Sequence, residues 1–93
     1  MKGLRDLQDR LAAGEIVALT ARAWGRLAPA FTLVETHDTG LAGVLALVEL
    51  DGRLAAVEQP DRKTRAVRPL ASRKAAREFV KTRLAAYDRL WDG

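Results

Sequence analysis

The sequence predicts a single α+β domain over residues 1–93, with an antiparallel sheet of four to five strands flanked by two helices. Three patterns predict it: leucines at helical spacing near the start, short apolar segments divided by turn residues in the middle, and one long apolar helical stripe at the end. A chain of 93 residues holds one hydrophobic core and is too short for two.

The first helix is predicted by Leu4, Leu7 and Leu11, which share one helical face. Gly14 follows and suits a left-handed helix cap. A β-rich segment then begins at Ile16, and we expect this first strand to run to Trp24, where a glycine breaks it.

Three more strands are expected between Pro29 and Pro60, at residues 30–36, roughly 42–50, and 53–59. Residues 37–40 indicate a turn between the first two of them. Asp51-Gly52 is a strong signal for a two-residue hairpin between the last two. A short fifth strand is expected at residues 64–68, ended by Pro69.

The C-terminal helix is the clearest element. It extends from Ser72, a suitable N-cap, to Trp91. Its apolar stripe consists of Ala76, Phe79, Val80, Leu84, Tyr87, Leu90 and Trp91. The predicted order is therefore α-β-β-β-β-(β)-α, and we expect both helices on one face of the sheet, as in a two-layer sandwich.

The third strand is apolar on both faces from Val44 to Val48, which predicts a cover for the second face of the sheet. The core has only five aromatic residues to draw on, and without cysteine no disulfide supports it. The main functional hypothesis is therefore a non-enzymatic interaction module that self-associates through its sheet as a homodimer.

Positive charge is concentrated in the last third of the chain. The net charge is −2 up to Pro60 and +6 after it, for a total of +4. The candidate anion-binding residues are Arg62, Lys63, Arg65, Arg68, Arg73, Lys74, Arg77 and Lys81. Such a cluster favours nucleic acid or an acidic protein as partner. The alternative is a solvated surface, which the lack of interleaved aromatic residues favours.

Arg83 lies by helical angle within the apolar stripe rather than on the basic arc. We expect it to pair with a carboxylate from the sheet, for which Glu35, Glu49 and Glu58 are the candidates. This is a structural role and not a binding site.

An enzymatic function has weak support. Asp38-Thr39-Gly40 resembles the active-site triplet of aspartic proteases, but the two preceding residues, Thr36 and His37, are polar where that family has an apolar strand. The family's glycine-rich flap and second motif are also missing, so the triplet indicates a turn. His37 lacks a neighbouring nucleophile, and no catalytic residue is expected.

Composition excludes several other classes. No cysteine and a single histidine do not make a zinc site, and we expect neither metal nor cofactor. The N-terminus lacks the apolar core of a signal peptide, and the longest apolar run, residues 41–48, is far too short to span a membrane. We expect a cytoplasmic protein, and the excess of Arg over Lys with no Asn is typical of GC-rich bacteria.

Overall fold

The computed structural model of the chain describes the backbone of residues 2–38 and 44–92 and the side chains of residues 3–38 and 44–87. Its elements are α1 (Lys2–Ala12), β1 (Val17–Thr20), α2 (Ala21–Leu27), a 3₁₀ turn (Ala28–Ala30), β2 (Thr32–Asp38), β3 (Val44–Leu50), β4 (Arg53–Glu58), β5 (Thr64–Leu70) and α3 (Arg73–Asp92). The predicted α+β class, with an antiparallel sheet, an N-terminal helix and a longer C-terminal helix, is confirmed.

The five strands form one antiparallel sheet in the order β1-β5-β4-β3-β2. Strands β2 to β5 are a meander, and β1 pairs with the far side of β5. The fifth strand is therefore internal, and it extends past its predicted end at Pro69 to Leu70. β1 reaches no further along β5 than Val67, so Pro69 has a strand neighbour on one side only, where a proline is tolerated.

The prediction that the first strand runs to Trp24 is wrong, because β1 ends at Thr20 and α2 begins at Ala21. The Thr20 hydroxyl accepts a hydrogen bond from the backbone N–H of Ala23 at 3.0 Å and caps the helix. Alanine and arginine are strong helix formers, and with this cap they outweigh the apolar pattern. Trp24 therefore packs from a helix, against Phe31 at 5.1 Å between ring centroids.

The helices cover opposite faces of the sheet, so the expectation of two helices on one face is wrong. The core under α3 consists of Leu45, Leu47, Ala56, Ala76 and Val80. The other face holds Val48, Ala55, Val57 and Val67, against which Leu11, Trp24 and Phe31 pack. Because β3 and β4 are apolar on both sides, each face needs a cover, and the chain supplies both.

The hairpin and the cap of α3 are formed as predicted. Asp51 and Gly52 have φ values of 51° and 78° and join β3 to β4 with Leu50 opposite Arg53, the geometry of a two-residue hairpin. The Ser72 hydroxyl accepts from the N–H of Ala75 at 3.1 Å. The predicted turn at residues 37–40 begins within β2, and its remainder lies outside the described residues, as do the start of the third strand at 42 and the side chains of residues 90 and 91.

We expect Thr20→Ala to lower the free energy of unfolding by about 1 kcal/mol, because the N-cap hydrogen bond of α2 is lost. Thr20→Ser keeps the hydroxyl and serves as the control. Urea denaturation followed by circular dichroism measures both variants. Equal losses in the two variants would show that the hydroxyl does not cap α2.

Candidate functional site

The eight predicted anion-binding residues do not form one continuous group. Arg62 and Lys63 are exposed in the turn between β4 and β5, whereas Arg73 and Lys74 begin α3 after the far end of β5. A seven-residue strand separates these two positions by roughly 20 Å. The structure therefore divides the predicted surface into a turn, a strand and a helix, each described below.

At the start of β5, Arg65 is engaged within the chain. Its Nη1 donates to the backbone carbonyls of Asp61 and Arg62 at 3.3 Å and of Thr64 at 2.9 Å. The Asp61 carboxylate accepts from the N–H of Lys63 at 2.7 Å, and this bond is the main reason that the pKa of Asp61 is lowered. These bonds hold the turn in shape and leave Arg62 and Lys63 as its exposed cations.

Arg68 lies on the face of β5 that packs under α3. Its guanidinium carbon is 5.0 Å from the ring centroid of Phe79, and that of Arg83 is 4.9 Å from the same centroid. The Nε of Arg68 is buried and has no hydrogen-bond partner. Arg68 therefore contributes to the packing of α3 rather than to an open basic surface.

The predicted ion pair of Arg83 is confirmed, and its partner is Glu58. The Nε of Arg83 lies 2.9 Å from Oε2 of Glu58, and the hydroxyl of Tyr87 donates to the same oxygen at 3.1 Å. The Glu58 side chain is 15% exposed, so the pair is partly shielded from water. This cluster fastens the second half of α3 to β4.

The four remaining candidates form a basic flank on α3, consisting of Arg73, Lys74, Arg77 and Lys81. At 100° per residue they fall within an arc of about 100°, and their ends are ~12 Å apart along the helix axis. All four side chains are exposed. The arrangement presents four cations side by side, as contact with a polyanion requires.

A second candidate surface is the open side of β2, which the sequence analysis did not single out. β2 is the last strand of the sheet and its side chains are exposed except for the half-buried His37. Leu33 and Val34 are 61% and 50% exposed, and the neighbouring Val44 of β3 is 40% exposed. The sequence signal was the Leu33-Val34 pair in an otherwise polar strand, but only the strand order shows that it lies at an edge.

The residues weighed for catalysis also lie on β2. His37 Nε2 is 2.9 Å from Oε2 of Glu35, its neighbour on the same side of the strand. Asp38 ends the strand, and the rest of the Asp-Thr-Gly triplet lies outside the described residues. A cleft of about 820 Å³ is lined by other residues, among them Leu11, Phe31 and Arg53.

Among the described residues, no three His, Asp or Glu side chains are placed to hold a metal ion together. In the same part of the chain, no helix has the length and apolar character needed to cross a bilayer. Comparisons with protein-family models, curated proteins and solved structures find no match to this chain. The absence of catalytic activity stays a prediction.

We expect the single tyrosine of the chain to titrate above its ordinary value of 10.0. Burial raises the pKa of Tyr87 most, and the charge and hydrogen bond of Glu58 raise it further. Folding thus favours the protonated phenol, and this contribution to stability is present below the pKa of the unfolded chain. It is lost as the pH rises through the folded pKa.

Phenolate absorbance between pH 8 and 12 reports Tyr87 alone. Glu58→Gln removes the charge and should shift the midpoint downward. Glu78→Gln, on the exposed side of α3, is the matched control and should leave the midpoint unchanged. A midpoint insensitive to Glu58→Gln would contradict the described cluster.

Proposed function

We propose that this protein is a non-enzymatic interaction module that self-associates as a homodimer through its sheet, by way of the β2 edge, residues 32–38. The observation that supports this proposal is an open seven-residue edge strand carrying Leu33 and Val34 in water. An edge strand presents unpaired backbone N–H and C=O groups that a second strand satisfies.

The faces of the sheet offer less room for a partner. Leu45 and Val48 of β3 point to opposite faces and are 1% and 5% exposed, because helices of the same chain cover them. The doubly apolar third strand therefore needs no second subunit on its faces. The sheet can still be extended at its edges.

The two edges of the sheet differ. β1 has four residues and runs directly into α2, so it offers little length for pairing. β2 has seven residues and contains neither lysine nor proline; of the features that limit edge pairing, it has the carboxylates of Glu35 and Asp38 and one bulge. Its one irregularity is a register shift at Val34, which leaves residues 35–38 regular.

Burial of the exposed side chains favours association. A fully buried leucine or valine contributes roughly 1.5–3 kcal/mol relative to water. Leu33 and Val34 occur twice in a homodimer, so the gain offsets part of the cost of immobilising two molecules.

Sedimentation velocity at micromolar concentration should show a dimer of the 10.2 kDa chain. Leu33→Lys places a charge on the proposed interface and should weaken the dimer at least tenfold. Ile16→Lys is the control, since Ile16 is 52% exposed but precedes β1 at the other side of the sheet. A wild-type protein that is monomeric throughout this range contradicts the proposal.

Nucleic-acid binding is the second candidate function, favoured by the basic flank of α3. Four exposed cations on one side of a helix suit the regularly spaced phosphates of a nucleic acid and release counterions on binding. Because base-stacking aromatic residues are not part of the flank, we propose binding that is independent of sequence and sensitive to salt.

The double variant Arg77→Glu/Lys81→Glu tests this second function. Fluorescence anisotropy with duplex DNA, single-stranded DNA and RNA at 50 mM salt should show affinity reduced tenfold or more. Arg22→Glu/Arg26→Glu changes the net charge equally on the exposed residues of α2 and should have a small effect. Equal losses in the two variants would indicate a response to net charge alone, and no binding by the wild type would end this candidate.

A further inference from the structure

We infer the register in which two copies pair: β2 lies antiparallel to β2 of a second copy, with Thr36 facing Thr36. In this register Glu35 of each copy faces His37 of the other. The inference rests on the proposed self-association and adds to it the residues that select the partner.

Backbone geometry limits the registers that are possible. Along a strand, the N–H and C=O of alternate residues point to the same side. Two facing residues of an antiparallel pair must therefore both point outward or both inward. Since two identical copies are related by a two-fold axis, this parity requires one residue of β2 to face itself.

Four registers lie near the middle of β2, and in them Val34, Glu35, Thr36 or His37 faces its own copy. Three of these four registers are unfavourable. A centre at Glu35 places two carboxylates directly opposite, at about 5 Å between Cβ atoms. A centre at Val34 falls on the register shift, where the strand is irregular. A centre at His37 places two imidazoles opposite each other and moves Glu35 away from any basic group of β2.

The centre at Thr36 places Glu35 opposite His37 twice and Asp38 opposite Val34 of the other copy, so that among residues 34–38 no two like charges face each other. Glu35 and His37 then form two cross-strand pairs related by symmetry on one face of the sheet, and the two Thr36 side chains face each other on the opposite face. Glu35 and His37 face Leu47 and Leu45 of β3, so both lie on the side of the sheet that carries α3. A two-fold axis perpendicular to the sheet keeps this side common to both copies.

Glu35 and His37 already bond to each other within one chain. His37 Nε2 lies 2.9 Å from Oε2 of its own Glu35. An imidazole has a second ring nitrogen, and in this register we expect it to bond to the carboxylate of the other copy. The Glu35 side chain is 45% exposed and the His37 side chain 28%, so both are reachable from solvent before the copies meet.

Charge exchange between two variants tests the register. In Glu35→Lys the new lysine faces His37, and in His37→Glu the new carboxylate faces Glu35, so each variant alone should dimerise roughly tenfold more weakly. An equimolar mixture places the new lysine opposite the new glutamate and keeps His37 opposite Glu35, so it should recover the heterodimer. Sedimentation velocity measures all three samples, and circular dichroism confirms that each variant is folded.

Crosslinking provides a second measurement, since the chain contains no cysteine. Thr36→Cys should form a disulfide-linked dimer under mild oxidation, and Glu35→Cys should not, because only directly facing residues come close enough. If the wild type is a dimer but His37→Glu associates normally, or Glu35→Cys crosslinks in place of Thr36→Cys, the register is overturned. The proposed self-association is then left intact. A monomeric wild type overturns the proposed function itself.

Discussion

The central hairpin of β3 and β4 is the constraint on which the rest of this structure depends. Its residues are apolar on both sides, and Leu45, Ala56 and Val57 are almost completely buried. A sheet of this kind is stable in water only if both faces are covered. In this chain the cover is divided: α3 lies on one face, while α1, α2 and Phe31 lie on the other.

The positions of the helices also determine which edge of the sheet stays exposed. α1 and α2 make their main contacts with β1 and β5, and α3 makes its main contacts with β4 and β5. The helices are therefore centred on one half of the sheet, and β2 lies at the opposite side. The same packing that completes the core leaves Leu33 and Val34 in water. The open edge of β2 is thus a product of where the helices bind.

The cluster around Glu58 determines which side of α3, and therefore which of its cations, is exposed to solvent. Arg83 and Tyr87 share one carboxylate oxygen, and Arg68 and Arg83 both lie near the ring of Phe79. These contacts set the rotation of α3 about its axis. With the apolar stripe held against the sheet, the cations of the basic flank are directed to solvent.

The sequence by itself determined the local elements, because they depend on neighbouring residues. The helical spacing in the last segment, the Ser72 cap and the Asp51-Gly52 hairpin were all predictable, and so was the placement of Arg83 among the apolar residues of α3. Where two local signals competed, as between Thr20 and Trp24, the cap prevailed over the apolar pattern, and the predicted strand was too long.

Only the tertiary structure decided which elements are neighbours. The pairing of β1 with β5 joins segments almost fifty residues apart, and no residue pattern states which face of the sheet a helix will cover. For the same reason, eight basic residues that are close in sequence became a turn, a packed strand and an exposed helix flank. Strand order is a property of the whole chain, and it alone placed β2 at an open edge.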